Sequence, residues 1–164
     1  MEFEDGIVYD PESVAVEPIA EDKVYAGIRV ALEARLDGAR IPVQFDIGFG
    51  DVVTPAVERA EFTSLLDFPP PVLQVYPVYT VIAEKFHAIV VLGAENSRMK
   101  DFYDLWAISG HFDLEGEILR RALAATFERR QTPIPAAPPY ALTRGFATAR
   151  TKLTQWDGGD AASR

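Results

Sequence analysis

Two runs of alternating apolar and polar residues in the first half of the chain constrain its fold most. Every second residue is apolar between Val24 and Leu36, and the alternation resumes from Ile41 to Phe49. Residues 37–40, which begin with an Asp-Gly pair, supply a turn between the two runs. Because successive side chains of a strand point to opposite faces, the pattern predicts a β-hairpin from Val24 to Phe49 with one buried face.

The second half of the chain has the residue spacing of helices. From Val78 to Leu92 there is no Gly or Pro, few residues are charged, and Pro77 and Gly93 stand at the two ends. We therefore predict a largely buried helix over this segment. Further helices are predicted over Ser97–Ser109, with Ser97 as N-cap and Gly110 as its end, over 114–130 and over 141–156.

These elements predict an α+β chain in three parts. Residues 1–76 form a β-rich part, residues 77–156 a helical domain, and residues 157–164 a polar, disordered tail. A shorter strand at Ser13–Ile19 joins the hairpin, and Pro18 favours an edge position for it. A length of 164 residues, of which 48% are hydrophobic, is enough for one sizeable core.

Composition excludes several classes of function. The chain has no Cys, which rules out a disulfide framework, a thiolate nucleophile and a zinc site with Cys ligands. Its 25 acidic residues outnumber its 16 basic ones for a net charge of −9, so any contact with nucleic acid needs a local basic patch. No apolar run is long enough to span a membrane, and residues 1–5 are acidic where a signal peptide is basic, so a cytoplasmic protein is expected.

Two single residues are candidates for chemistry. Asp46 is the one charged residue between Ile41 and Phe49, and Asp is disfavoured in strands. It is therefore either a carboxylate on a solvated face or a metal ligand or general base. Lys85 lies within an apolar helix, where its ammonium group either extends along the surface to water or meets an anion.

A third candidate is a stripe on the second predicted helix. Arg98, Asp101 and Asp104 follow one another at a spacing of three, which places them on one helix face. The stripe is either a solvated face with an Arg98–Asp101 ion pair or part of a site. The short connection after Gly93 predicts that the two helices are neighbours, which would bring Lys85 and the carboxylates into one cluster.

Three other residues receive only a structural interpretation. His87 has no second His or Cys at ligand spacing, so we interpret it as a histidine at the edge of the core. Trp106 and Trp156 are interpreted as packing residues.

Three ordered segments resemble one known family. The resemblance runs from about Asp5 to Trp156 and is to the nucleotidyltransferase AbiEii/AbiGii toxin family, the toxin half of bacterial toxin–antitoxin and phage-defence systems. The three segments are Val43–Asp51 (VQFDIGFGD), Ala83–Ala88 (AEKFHA) and Asn96–Leu105 (NSRMKDFYDL).

The resemblance implies a fold and a reaction. It implies a DNA polymerase β-like nucleotidyltransferase sheet joined to a C-terminal helical domain, and transfer of a nucleotide from an NTP to an acceptor, often tRNA, with Mg²⁺. Asp46 resembles a catalytic, metal-binding carboxylate of the sheet, and Asp101 a catalytic carboxylate of the last motif. Lys85 resembles a catalytic lysine that contacts phosphate, Arg98 a nucleotide-binding residue, and Asp104 a residue that orients Arg98 or Lys85.

The family's first motif has no counterpart in this sequence. That motif is a Gly-Gly or Gly-Ser pair followed by Asp-x-Asp or Asp-x-Glu, and it supplies the main metal ligands. The one Gly-Gly pair of this chain is Gly158-Gly159. We therefore expect the C-terminal portion of a full-length toxin, with a partial sheet made mainly of the hairpin, and nucleotide binding without transfer by this chain alone.

Two functions from different classes follow. In the first, the chain is a nucleotidyltransferase-like toxin that transfers NMP to tRNA only when completed, and Asp46, Lys85 and Asp101 converge on one crevice. In the second, it is a non-catalytic module that binds the cognate antitoxin or associates with itself through an exposed sheet edge.

Overall fold

The computed structural model describes residues 5–19 and 27–161, except for the side chains of residues 158–161. The chain is α+β, as predicted, and divides into two compact units between Asp51 and Val52. The division into parts at residues 76 and 77 stays a prediction.

The first unit is a three-stranded antiparallel sheet. Its strands are β1 (Ile7–Ile19), β2 (Gly27–Leu36) and β3 (Ala39–Gly48), in the order β1-β2-β3. The predicted hairpin is present as β2 and β3, although the segment 24–26 assigned to it lies outside the described residues. At the turn, Asp37 and Gly38 have φ values of 45° and 83°, the left-handed conformation that Asp-Gly pairs adopt in tight hairpins.

The edge strand β1 is longer than predicted. It pairs with β2 along its length and is interrupted by a bulge between Asp10 and Ala15. Within the bulge, the Ser13 hydroxyl donates to the Asp10 carbonyl and accepts from the Glu33 N–H, so the chain remains hydrogen-bonded across the irregularity. Pro18 lies on this edge strand, where the sequence places it.

The apolar face of this sheet is less buried than predicted. Val16, Val30 and Phe45 form one cross-strand row, and Ile28 pairs with Ile47 in the next. Phe45 and Ile47 are 54% and 42% exposed, although the alternation predicted a buried face. The described part of this unit contains strands only, so no helix of the unit covers the face.

The second unit begins with a hairpin that the sequence did not predict and continues as helices. The hairpin consists of β4 (Glu58–Glu61) and β5 (Val72–Val75). The helices of the described residues are α1 (Val78–Leu92), α2 (Met99–His111), α3 (Gly116–Arg129), α4 (Arg144–Ala147) and α5 (Arg150–Ala161). Single turns of 3₁₀ helix occupy Gly93–Glu95 and Tyr140–Leu142.

The helix ends differ from the prediction in their capping residues. The first helix has its predicted bounds, but α2 begins at Met99 and its N-cap is Arg98 rather than Ser97. The Asn96 side chain accepts the Arg98 N–H, so Asn96 organises this helix start. Gly110 does not end the helix, which continues through His111.

The last predicted helix is divided into separate elements. Thr143 accepts the N–H of Phe146 through its hydroxyl and starts α4, and a break then separates α4 from α5. The final helix continues to Ala161, beyond the predicted end at Trp156, so residues 157–161 of the expected disordered tail are helical. Residues 162–164 lie outside the described residues.

The core of the second unit lies between α1 and its neighbours. On one side α1 packs against α3, where Phe127 is 1% exposed and lies edge-on to His87 at 5.1 Å between ring centroids. On the other side Ile89 joins Met99 and Phe146 in a buried cluster. None of the helices in the described part is both long and apolar enough to span a membrane.

Candidate functional site

Lys85 of α1 meets two carboxylates of α2. Its Nζ lies 2.7 Å from Asp101 Oδ1 and 2.7 Å from Asp104 Oδ2. The Asp101 residue is 7% exposed, and the Lys85 side chain 21% exposed. The ammonium group therefore meets anions rather than extending to water, and the clustering expected from the short α1–α2 connection is present.

Two further cations complete this group. Arg98 Nε lies 3.3 Å from Asp101 Oδ2, and Lys100 Nζ lies 3.1 Å from Asp104 Oδ2. We call the five residues, Lys85, Arg98, Lys100, Asp101 and Asp104, the Lys85 cluster. With three cations and two carboxylates it carries a formal charge of +1, and its outer cations, Arg98 and Lys100, are 47% and 84% exposed.

Opposing effects set the protonation of the cluster. Burial disfavours the charged form of Lys85, but hydrogen bonds and charge attraction from Asp101 and Asp104 outweigh it and raise the Lys85 pKa above its ordinary value. For Asp104, burial acts to raise the pKa, and the hydrogen bonds and charges of Lys85 and Lys100 outweigh it and lower the pKa. The pair is therefore held in its charged state at neutral pH.

A short turn that ends at a buried Asn96 connects the two helices that carry the cluster. Gly93 adopts a positive φ of 50° at the end of α1, and the 3₁₀ turn leads to Asn96, which is fully buried. Lys152 of α5 donates from Nζ to the Asn96 carbonyl at 2.7 Å. The last helix thus holds the turn that positions Arg98 and Asp101.

Sequence reasoning missed Lys100 and Asn96. The signal for Lys100 is its spacing of four from Asp104, which predicts an ion pair on one helix face. The signal for Asn96 is an Asn two residues before Arg98, the spacing of a side chain that accepts a backbone N–H at the start of a turn. Lys152 carries no local signal, because its partner is 56 residues away in sequence.

Asp46 lies in the first unit and has a partner of its own. Arg29, its cross-strand neighbour, donates from Nε to Oδ1 at 2.8 Å and from Nη2 to Oδ2 at 2.9 Å, and Gln44 also donates to Oδ1. The hydrogen bond from Arg29, with its positive charge, holds the Asp46 pKa below its usual value. The convergence of Asp46 with Lys85 and Asp101 stays a prediction.

The described carboxylates do not by themselves fit a Mg²⁺ ion. Mg²⁺ requires carboxylate oxygens that are free to coordinate it. In the Lys85 cluster each carboxylate already contacts two cations, and both oxygens of Asp46 accept from Arg29. No group of three or more His, Asp or Glu side chains within residues 5–19 and 27–161 is placed to hold a metal. A cluster of charge +1 with exposed cations fits an anion instead.

Comparison with known proteins gives a family for nearly the whole chain. The family model of the nucleotidyl transferase AbiEii toxin, type IV toxin–antitoxin system, matches residues 2–158. No match was found among curated proteins or solved structures. Enzymes that transfer nucleotides generally use divalent metal ions. The chain belongs to the AbiEii nucleotidyl transferase toxin family of type IV toxin–antitoxin systems.

Proposed function

We propose that this toxin transfers NMP from an NTP to an RNA acceptor, with tRNA as the acceptor class, only when another protein supplies the missing first motif, and that the Lys85 cluster holds the triphosphate. The observation that carries the proposal is the Lys85 ammonium group, fixed by two carboxylates and flanked by the exposed cations Arg98 and Lys100. Phosphates bind to cationic side chains that are held in place, provided that the carboxylates around them do not outnumber the cations. The proposed substrates, NTPs and tRNA, support a cytoplasmic location as part of this proposal.

The reaction assigns a role to each member of the cluster. An acceptor hydroxyl oxygen attacks the α-phosphorus, a new P–O bond forms, and the bond to the β-phosphate oxygen breaks, so that pyrophosphate leaves and the hydroxyl proton is lost to a base. Lys85 and Arg98 stabilise the charge that develops on the pyrophosphate. Asp101 contacts both cations, one through each oxygen, and is proposed to orient them at the reacting phosphates, while Asp104 holds Lys85 from its other side.

The proposed roles of Asp46 and Mg²⁺ rest on the match of this chain to the family. Asp46 is kept, by its match to the family, as the proposed catalytic carboxylate of the sheet, and its lowered pKa keeps it ionised and paired with Arg29. Mg²⁺ would lower the charge of the triphosphate when bound, but Asp46 is the one family-matched metal ligand here and is paired with Arg29. The sequence has no counterpart of the first motif, so we propose nucleotide binding without turnover for this chain alone.

A transfer assay tests this proposal. The purified chain is incubated with α-³²P-labelled NTPs, Mg²⁺ and tRNA, alone and with a protein that carries the Gly-Ser and Asp-x-Asp motif. Label on the tRNA is expected only in the second reaction, and Lys85→Ala or Asp101→Ala should remove it. Transfer that persists in both variants would contradict the role of the Lys85 cluster.

The second candidate function is a non-catalytic binding module, and one observation favours it. The sheet of the first unit exposes Phe45, Ile47 and Val16 on one face, and β1 and β3 are its two edge strands. Such a surface is suited to contact with the cognate antitoxin or with a second copy of the chain. Light scattering over a wide concentration range should show self-association that Phe45→Asp reduces, and a monomer at every concentration would count against it.

A further inference from the structure

One segment near the end of the chain, which Asp157 follows directly, differs in charge from the rest. Residues 129–156 contain five Arg or Lys residues and no Asp or Glu, in a chain whose net charge is −9. Of the five, Arg130 pairs with Glu84 and Lys152 donates to the Asn96 carbonyl. Arg144 on α4 and Arg150 on α5 are exposed, and no carboxylate of the described residues forms an ion pair with either. Exposed arginines that no described carboxylate pairs with are groups that can contact the phosphates of a nucleic acid.

An apolar pocket is lined in part by Arg144 and by residues of α5, the helix that carries Arg150. It has a volume of about 530 Å³ and is enclosed by α2, the Tyr140–Leu142 turn, α4 and α5. Phe102 and Phe146 stack at 5.4 Å between ring centroids in its lining, and Trp156 is 41% exposed at its rim. Arg144 also lines the pocket, and Arg150 lies one helical turn before the lining residue Leu153.

This combination matches the chemistry of one unpaired nucleotide. The volume falls within the range of about 300–1,000 Å³ that is usual for pockets that bind small molecules. Aromatic rings bind nucleobases by stacking, and guanidinium groups bind the phosphates on either side. A duplex keeps its base faces stacked inside the helix, so a pocket of this kind selects single strands.

The pocket is distinct from the Lys85 cluster. Both use α2, but Met99 and Phe102 line the pocket, whereas Asp101 and Asp104 contact Lys85. At about 100° per residue, these two pairs lie on different sides of the helix. A base in the pocket is therefore not part of the NTP at the cluster.

We propose that the pocket, together with Arg144 and Arg150, binds single-stranded RNA, taking one unpaired base against Trp156 and pairing the flanking phosphates with the two guanidinium groups. The proposal rests on the proposed function only for the identity of this RNA as the acceptor. A segment of the antitoxin is the rival occupant. RNA is favoured because the pocket is small, is lined by aromatic side chains and has the exposed Arg144 in its lining, whereas a protein partner needs a broad apolar surface.

Binding can be measured without any transfer reaction. Trp106→Phe leaves Trp156 as the only tryptophan, so quenching of its fluorescence reports on the pocket. The probe is a short fluorescein-labelled single-stranded RNA, and a blunt duplex of the same sequence is the comparison. We expect the single strand to bind and to quench Trp156, and the duplex to leave Trp156 unquenched.

Variants locate the binding to this surface. Trp156→Ala should weaken binding about tenfold or more, the loss of one stacked base. The double variant Arg144→Ala/Arg150→Ala should weaken RNA binding about tenfold at low salt. It should also reduce the slope of log K against log salt concentration by about 1.4, the value for two lost phosphate contacts. The control is Arg59→Ala, which removes a cation from exposed β4 and should leave binding within about twofold of the unmodified chain. Thermal unfolding and far-UV circular dichroism establish that each variant is folded.

Several results would overturn the proposal that this pocket binds single-stranded RNA. Equal RNA binding by the folded arginine double variant and by Arg59→Ala would overturn the proposal, as would quenching by the duplex. So would variants that retain RNA binding but no longer bind the antitoxin, because the surface then belongs to that protein. Lys85→Ala should keep RNA binding. Surface-dependent RNA binding without transfer under any condition would overturn the proposed function and leave this inference standing.

Discussion

Lys85 and Asp101 lie sixteen residues apart in sequence, on different helices, and their Nζ and Oδ1 atoms are 2.7 Å apart. Both groups are largely shielded from water, and Asp101 has Arg98 as its other cationic partner. The contact joins α1 to α2, and it also orients the ammonium group that is proposed to meet the triphosphate. Stability and function are therefore expected to respond to the same pair.

Replacement of Lys85 should destabilise the fold. Lys85→Met removes the charge and keeps most of the aliphatic stem, and it leaves Asp101 in a nearly buried position with one cation fewer. We expect a loss of about 2 kcal/mol in the free energy of unfolding in urea. Lys100→Met is the matched control, because Lys100 is 84% exposed and should cost below about 0.5 kcal/mol. Equal losses in the two variants would show that the Lys85 contacts are not stabilising.

A double-mutant cycle isolates the Lys85–Asp101 contact from the other effects. Lys85→Met and Asp101→Asn are measured separately and together, and a coupling energy of about 1 kcal/mol or more is expected for a shielded charge pair. If the losses in the two single variants simply add in the double variant, the coupling energy is zero and the 2.7 Å contact itself does not stabilise the fold.

Protonation of His87 should weaken the packing of α1 on α3. Burial, with a smaller contribution from the charge of Arg130, lowers the His87 pKa below its ordinary value of 6.5. Above pH 6.5 the side chain is neutral in both the folded and unfolded states. Below it the unfolded state takes up the proton first, so stability falls as pH decreases toward the folded-state pKa, by up to about 1.4 kcal/mol per pH unit.

The test compares urea unfolding between pH 7 and pH 5 in two variants. His87→Gln should lose this part of the pH dependence, whereas His111→Gln, at an exposed position on α2, should retain it. A pH profile of His87→Gln parallel to that of the unmodified chain would show that another group titrates.

The convergence of Asp46 with the Lys85 cluster can be tested by cross-linking, because the chain has no Cys. Gln44 neighbours Asp46 on β3, and Lys100 is the most exposed member of the cluster. A short bis-maleimide should link Gln44→Cys to Lys100→Cys within one molecule. Arg40→Cys, on the same strand face but near its other end, should link to Lys100→Cys much less. The opposite preference would exclude a shared crevice.

The parts of the fold that could be predicted from sequence are those with local signals. The β2–β3 hairpin and the bounds of α1 follow from alternation, an Asp-Gly turn and flanking Pro and Gly. The β4–β5 hairpin was missed because each strand has only four residues, too few for a periodic pattern. The exposure of Phe45 was missed because alternation identifies an apolar face but does not show what covers it.

In the candidate site, too, the features that could be predicted are those with a local sequence signal. The spacing of Arg98, Asp101 and Asp104 predicts one helix face, and all three belong to the Lys85 cluster. The Arg29–Asp46 pair is a cross-strand pair, so it can be predicted only from the register in which β2 and β3 pair. The alternation of apolar residues within each strand does not identify such a pair. The Lys152–Asn96 contact depends on the packing of α5 and has no local pattern.

Equilibrium binding of an NTP tests the role of the Lys85 cluster, because binding depends on these cations and does not require a complete catalytic site. A fluorescent NTP analogue is titrated into the unmodified chain and into Lys85→Ala, Arg98→Ala and Arg59→Ala, each first confirmed to be folded. We expect measurable, salt-sensitive binding that Lys85→Ala and Arg98→Ala each weaken about fivefold or more and that Arg59→Ala leaves unchanged. Binding that is absent, or equal in all four proteins, would contradict the assignment of the triphosphate to this cluster.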